Sequence, residues 1–270
     1  MALAAFIARE TKAKEPLLPL KLFRSVPLSA GTVLVLTLMF SLFGAMFFIT
    51  FFMENVHGTD AIGAGVRMLP LTGMMMLGAP LAGVVITKVG PRLPMFTGML
   101  LAAVALLGLS RISMASSMND TIIWFALLGL GLSPVIVGGT EVIVGNAAVE
   151  LAGAAAGLQS TAMQVGGTIG TAVLGAVMSS KVGSLLPANW AAAHLPALNA
   201  TQLAGVESLT TVGVAPAQKG ISPQLAATIA DVTHATFISG MTASFLVASL
   251  VAVGGALIAL LTKKGHAPAR

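Results

Sequence analysis

The sequence predicts an all-α membrane protein, a six-transmembrane-helix bundle. Hydrophobic residues make up 56% of the 270 residues, charged residues only 9%, and the mean hydropathy is +0.96. A soluble domain has about 25% charged residues. Six stretches are apolar and long enough to cross a bilayer as helices, at about 28–53, 63–86, 93–112, 121–145, 155–180 and 236–262.

These spans divide the chain into three regions. Residues 1–27 are predicted to be the end of a preceding helix plus a basic cytoplasmic linker, residues 28–262 the transmembrane bundle, and residues 263–270 a cytoplasmic tail. A loop at about 182–235 separates the last two spans. Near its end, Ser222-Pro223 predicts an N-cap and the first turn of a short helix that leads into the last span.

The individual spans differ in composition. The first is uniformly bulky and is predicted to face lipid over much of its surface. The second contains Pro70 and Pro80, and the fourth contains Pro134 among glycines. Membrane helices tolerate proline because neighbouring helices or water satisfy the carbonyl groups that it frees. We therefore expect bends at Pro70 and Pro134.

The fifth span carries no charge but is rich in glycine and small polar residues. Small residues four positions apart let another membrane helix approach closely. Gly153 and Gly157 form one such pair and Gly166 and Gly170 form another, and Gly167 lies beside the second pair. Gln164 shares a face with Ser160 and Thr168, where its amide would be costly against lipid. We expect this helix to pack inside the bundle and to line either a neighbour or a cavity.

The distribution of Lys and Arg predicts the orientation. Successive segments between the spans lie on alternate sides of the bilayer. With this assignment, ten of the fourteen basic residues lie on the same side as the 9–24 segment. Those ten are Arg9, Lys12, Lys14, Lys21, Arg24, Lys88, Arg92, Lys263, Lys264 and Arg270. Cytoplasmic loops carry an excess of basic residues. The sequence thus predicts a multi-pass cell-membrane protein with a cytoplasmic C-terminus and an extracellular 182–235 loop.

The turn between the second and third spans contains Gly83, Lys88, Gly90 and Arg92. An ordinary cytoplasmic turn would explain the glycine at the bend and the basic residues. The spacing also resembles the loop signature of the major facilitator superfamily. Thr87 occupies the position where that signature usually has an acid, and it supplies no charge to the cytoplasmic charge network that the signature implies.

Longer stretches resemble one branch of that superfamily. The stretches AGVRMLPLTGMMMLGAPLAG (64–83), GLGLSPVIVGG (129–139) and residues 152–177 resemble, in this order, the second half of a fourteen-helix drug:proton antiporter of the EmrB/QacA type. The resemblance implies a bundle equivalent to the C-terminal half of such a transporter, which exports small amphipathic or cationic drug-like compounds in exchange for protons. Features of a first half have no counterpart in the sequence. A truncated gene product and one subunit of a split transporter are both open, and either implies a missing N-terminal half or second subunit as partner.

Polar and ionisable residues at membrane depth are the candidates for transport and coupling. Glu141, near the cytoplasmic end of the fourth span, is either a buried proton carrier or an interfacial carboxylate. Arg67, about one turn into the second span, is either a functional cation or a structural anchor that extends towards the surface. Gln164 is the candidate in the fifth span. The proton would be the coupling ion, no cofactor is predicted, and four scattered histidines predict no metal site.

Two functions of different classes fit these observations. One is the C-terminal half of a proton-coupled multidrug efflux transporter, and the alternative is a non-transporting membrane fragment or scaffold. A channel is less favoured because no span carries the polar or charged rings of a selectivity filter. No combination of nucleophile, base and orienting residue predicts an enzyme. In a membrane chain the net charge of +5 reflects the loops, so the expected partner is the lipid bilayer and not nucleic acid.

Overall fold

The computed structural model describes residues 25–114, 116, 118–216 and 221–262, and this part of the chain contains helices and no β-strand. The α-helices are α1 (Val26–Phe51), α2 (Ala61–Arg67), α3 (Leu69–Val89), α4 (Arg92–Leu109), α5 (Met118–Gly145), α6 (Ala152–Ala192), α7 (Ala200–Thr210) and α8 (Pro223–Ala259). A π-helical turn, Phe52–Val56, continues α1, and a 3-10 turn, Val149–Leu151, precedes α6. The predicted all-α fold is confirmed.

Six helical segments in the described residues are long and apolar enough to cross a membrane, as predicted. They are α1 with its π-helical turn, α2 together with α3, α4, α5, α6 with the preceding turn, and α8. The predicted linker before Ser25, the predicted tail after Thr262 and Lys219 lie outside the described residues.

The fifth and sixth spans are much longer than predicted. α6 has 41 residues and α8 has 37, which at 1.5 Å per residue corresponds to about 60 and 55 Å. The hydrocarbon core of a bilayer is only about 30 Å thick, so both helices extend well beyond it. Their extensions contact each other where the Asn189 amide donates to the Thr236 hydroxyl at 3.0 Å.

The segment 182–235, predicted as a loop, is therefore largely helical where the structure describes it. Hydropathy marks where the apolar residues end, which is not where these helices end. Ser222 caps α8 as predicted, with the Leu225 amide donating to its hydroxyl at 3.3 Å. The predicted short helix is wrong, because Pro223 begins one continuous helix that includes the last span.

The helix contacts define two sides of the bundle. α1 packs against α5, α6 and α8, while α5 packs against α1, α3 and α4. α4 and α8 pack against each other. It follows that α1 and α5 form the middle of one face, which we call the front face, with α3 and α6 at its two edges and α4 and α8 behind.

The first span is more enclosed than its bulky composition suggests. In its most apolar window 67% of the residues are buried inside the bundle, against 22% for the α2–α3 span and 28% for α6. The prediction that this span faces lipid over much of its surface is wrong, because three other helices cover it. The two edge spans of the front face are the least covered.

Serine hydroxyls join neighbouring helices through backbone carbonyl groups. The bonds are Ser41 to Ala248 (3.1 Å), Ser249 to Ala103 (2.8 Å), Ser244 to Leu174 (3.2 Å) and Ser133 to Met75 (3.1 Å). Three of the four involve α8, so α8 connects α1, α4 and α6. In a membrane each such bond contributes about 0.6 kcal/mol on average, and their main effect here is to fix which helix faces touch.

The two prolines expected to bend helices lie in different settings. Pro70 lies in the first turn of α3, after α2 has ended at Arg67, so the second span is interrupted before the proline. Pro134 lies inside α5, as predicted. Its ring occupies the space beside Gly98 of α4, where a Cβ atom would lie 2.6 Å from the Pro134 Cγ.

Candidate transport surface

α1 and α6 cross with their backbones in contact. A Cβ atom on Gly170 would lie 2.7 Å from the Cα atom of Phe40, and one on Gly166 would lie 3.0 Å from the Cα atom of Leu36. Gly167 faces the ring of Phe43, with 3.2 Å from its Cβ position to the ring. The three glycines in the middle of the span therefore all face α1.

Gly153 and Gly157 have the same spacing but no neighbour. Both are exposed, and no described atom lies within 4 Å of a Cβ atom built on either residue. The predicted close packing is thus absent at this pair within the described bundle. Spacing shows that two glycines share a helix face, but it does not show whether another helix covers that face.

The exposed side of α6 is polar along the middle of the helix. Ser160, Gln164 and Thr168 are exposed on it. The Thr168 hydroxyl donates to the Gln164 carbonyl at 2.9 Å, and Ser160 bonds to its own helix in the same way. The Gln164 amide, in contrast, has no hydrogen bond to any described residue. A primary amide at membrane depth is costly unless water, a ligand or another protein segment meets it.

Glu141 lies one turn before the end of α5 and is half-buried. Beside it, the Gln159 amide of α6 donates to the Thr140 hydroxyl at 2.8 Å, and this hydroxyl donates to the Ile136 carbonyl at 3.1 Å. Glu141 thus lies where α5 and α6 are joined by a polar bridge. Thr140 and Gln159 were not among the residues predicted from the sequence. The sequence does contain a signal for this contact, because the two polar residues lie near the end of one span and the start of the next.

Arg67 lies away from Glu141 and Gln164. It is the last residue of α2, and its guanidinium donates to the Thr59 hydroxyl in the preceding turn. Burial lowers the pKa of the neighbouring His57, and the Arg67 charge lowers that pKa further. Arg67 and Glu141 belong to opposite ends of the bundle, because α3 runs from Arg67 towards the 83–92 turn and α5 returns to that turn's side.

The 83–92 turn has the geometry that its glycine suggests. Gly90 ends α3 with a φ of +81°, a conformation that favours glycine, and its amide donates to Ile86 at 2.8 Å. Lys88 and Arg92 are both exposed on either side of it. Gly83, six residues before the end of α3, has no described atom within 4 Å of a Cβ position.

The candidate residues therefore do not form one compact site. Gln164 lies on the exposed side of α6, Glu141 near one end of the bundle and Arg67 near the other. Among the described residues, no three His, Cys, Asp or Glu side chains lie close enough together to hold a metal ion.

Comparison with known proteins gives consistent matches. Residues 3–171 match the family model of the Major Facilitator Superfamily. The chain is 50% identical over 266 residues to the tetracenomycin C resistance and export protein of Streptomyces glaucescens, covering 98% of this chain and 49% of that protein. It is 30% identical over 186 residues to the multidrug transporter protein MdtP of Bacillus subtilis, covering 69% and 34% of the two chains.

A further relative is the methyl viologen resistance protein SmvA of Salmonella typhimurium, 28% identical over 179 residues, which are 66% of this chain and 36% of that protein. The chain spans about half the length, or less, of the curated relatives that it matches. These relatives are named as drug resistance, export or transport proteins, and none of them is named as an enzyme. The family model covers more than half of the chain, and the chain therefore belongs to the major facilitator superfamily.

Proposed function

We propose that the chain forms the C-terminal half of a proton-coupled multidrug efflux transporter of the fourteen-helix kind. A relative that is 50% identical is a resistance and export protein, and the chain spans 49% of it. Six candidate spans are a suitable number for one of two related bundles, because transporters of this superfamily rock two such halves about a site near the bilayer midplane.

The observation that carries this proposal is the exposed Gln164 on α6, an edge helix of the front face. Its amide has no hydrogen bond to any described residue, and the polar strip around it is unsuited to lipid. The two edge spans of the same face are only 22% and 28% buried in their most apolar windows. A second bundle facing this one across a water-filled cavity would cover the edges and hydrate Gln164.

Orientation and coupling complete the proposal. The excess of Lys and Arg on one side favours a cytoplasmic C-terminus and, with it, an extracellular α6–α7–α8 extension. Glu141 is the candidate proton carrier, because no other ionisable residue occurs between 121 and 145. Arg67, tied to Thr59, fits a structural anchor for the outer turn. The substrates would be small amphipathic or cationic drug-like compounds.

The test is dye efflux from vesicles with an imposed pH gradient. The chain would be produced alone and together with the unmatched part of the Streptomyces glaucescens relative as the second bundle. We expect no efflux from the chain alone and gradient-dependent efflux from the pair. If the two parts associate and are folded but show no efflux, the chain is a non-transporting scaffold. Efflux by the chain alone would instead imply a homodimer that supplies both halves.

A further inference from the structure

An exposed row of aromatic rings runs along α1. Phe43 is 51% exposed and Phe47 is 42% exposed, and Phe51 is half-buried. Because the three residues are four positions apart, they lie on one side of the helix. The Phe47 ring meets the Phe51 ring edge-on, with centroids 4.7 Å apart and planes at 80°. In the most enclosed span of the bundle, this is an unusual place for large side chains to be uncovered.

The aromatic row lies on the front face between α5 and α6. On one side, a Cβ atom on Gly31 would lie 2.9 Å from a side-chain carbon of α5. On the other, the Phe43 ring lies against Gly167 of α6. At the back, Ser41 donates to a backbone carbonyl of α8. α1 thus packs against α5, α6 and α8, and the aromatic row lies on the part of α1 that these helices leave exposed.

Hydrogen-bonding groups of α6 border the row. Gln164 precedes Gly167 by one turn and Thr171 follows it by one turn, so both lie near the position where Phe43 crosses α6. The Thr171 hydroxyl donates to the Gly167 carbonyl at 2.6 Å, and its oxygen can still accept. The Gln164 amide has its donors and its acceptor uncommitted. This surface therefore combines flat apolar rings with groups that can bond to the oxygens of a ligand.

The same surface has no charge. No ionisable residue occurs between 25 and 53, which includes α1, or between 151 and 180, which includes the transmembrane part of α6. A cation that lost its water here would meet no carboxylate of these helices. Attraction to the face of a phenylalanine ring is small beside the free energy that desolvating an ion costs.

We infer that this surface, the aromatic wall of Phe43, Phe47, Phe51, Gln164 and Thr171, binds the transported compound and selects uncharged planar aromatic molecules that carry oxygen acceptors or hydroxyl groups over planar cations of similar size. The inference rests on the proposed function and narrows its substrate class. Stacked or edge-on ring contacts supply the affinity, and Gln164 supplies the orientation.

Direct binding tests this without requiring transport. The full chain is placed in lipid nanodiscs and titrated with 1,8-dihydroxyanthraquinone, a neutral planar probe, and with proflavine, a planar cation, with empty nanodiscs as the reference for partitioning into lipid. We expect saturable binding of the neutral probe that is about tenfold tighter than that of the cation. Phe47→Ala should weaken binding of the neutral probe about tenfold through the loss of ring contacts, whereas Phe47→Trp should retain it.

Gln164→Leu should weaken binding of the dihydroxyanthraquinone but not of anthracene, which has no oxygen. The matched control is Leu250→Ala, which removes a side chain that is 71% exposed on α8, behind the front face. It should bind like the unmodified chain. All variants replace exposed side chains, so equal thermal unfolding temperatures would show that the fold is intact.

The inference would be overturned by equal binding of the two probes, or by a Phe47→Ala chain that binds the neutral probe normally. It would also be overturned by the absence of saturable binding both by the chain and by the chain paired with a second bundle, which would mean that the row only packs against that bundle. Failure of export with Phe47-dependent binding intact would count against the proposed function alone. If Phe47→Ala leaves export unchanged, the aromatic wall does not bind the transported compound, whereas the proposed export function is retained.

Discussion

The backbone of Gly170 in α6 lies directly against the backbone of Phe40 in α1, where a Cβ atom on the glycine would come within 2.7 Å of the Phe40 Cα atom. One turn earlier, Gly166 makes the same kind of contact with Leu36. Backbone atoms cannot rotate away as a flexible side chain can. These two glycines therefore fix the distance between α1 and α6, and with it the position of the polar strip of α6 beside the aromatic row of α1.

Gly170→Leu should separate α1 from α6 and destabilise the bundle. Overpacking a close-packed site typically costs about 1–3 kcal/mol, and the upper end applies because the obstacle is backbone. We expect a lower folded yield and a lower thermal unfolding temperature in detergent, and the same for Gly166→Leu. Gly175→Leu is the matched control, because no described atom lies within 4 Å of its Cβ position. Unchanged stability of both test variants would mean that this face of α6 meets lipid.

The glycines also show how far sequence reasoning reaches. The i,i+4 spacing predicted close packing for both pairs, but only the Gly166 and Gly170 pair meets another helix. The difference depends on which face α1 covers, which is a property of the assembled bundle. The rings of Phe43 and Phe47 were missed for the same reason. Their four-residue spacing is visible in the sequence, but the first span was predicted to face lipid.

The topology can be tested by cysteine labelling, because the chain contains no cysteine of its own. Gly205→Cys in α7 should react with a membrane-impermeant thiol reagent added outside intact cells. Lys88→Cys in the 83–92 turn should react only after the cells are opened. We expect this because the orientation puts ten of the fourteen basic residues in the cytoplasm, where loops carry an excess of Lys and Arg. Labelling of residue 205 from the cytoplasmic side alone would contradict the predicted orientation.

The pH dependence of stability should reflect His57. Burial and the Arg67 charge lower its pKa in the folded chain below the ordinary value of 6.5. As the pH falls below about 6.5, the unfolded chain takes up this proton more readily than the folded chain. The free energy of unfolding should therefore decrease as the pH falls from about 6.5 to the lowered pKa. Above about pH 6.5 it should not change through this group.

His57→Gln should reduce the loss of stability at acid pH. The measurement is the thermal unfolding temperature at about pH 7.5 and about pH 5.5, on either side of the ordinary histidine pKa. The unmodified chain should lose more stability between the two than the variant does. His194→Gln, which changes an exposed histidine beyond α6, serves as the control. An equal loss in His57→Gln and in the unmodified chain would contradict the assignment.

Glu141→Gln should uncouple export from the proton gradient in the chain paired with a second bundle. The side chain is half-buried one turn before the end of α5, next to the hydrogen bond between Gln159 and Thr140. Glutamine keeps the size and the hydrogen-bonding capacity of the carboxyl group but cannot release or take up a proton. If Glu141 carries the proton, dye efflux driven by an imposed pH gradient should fall to the background level, while dye binding persists.

The control separates a carrier from an interfacial charge. Glu150→Gln changes an exposed carboxylate in the turn before α6, on the same side of the bundle, and should leave gradient-driven efflux unchanged. Glu141→Asp retains a titratable group and should keep part of the coupling. Equal efflux by Glu141→Gln and the unmodified pair would place the carboxylate at the interface. The proton carrier would then lie outside α5, because the described part of α5 holds no other carboxylate beyond its first turn.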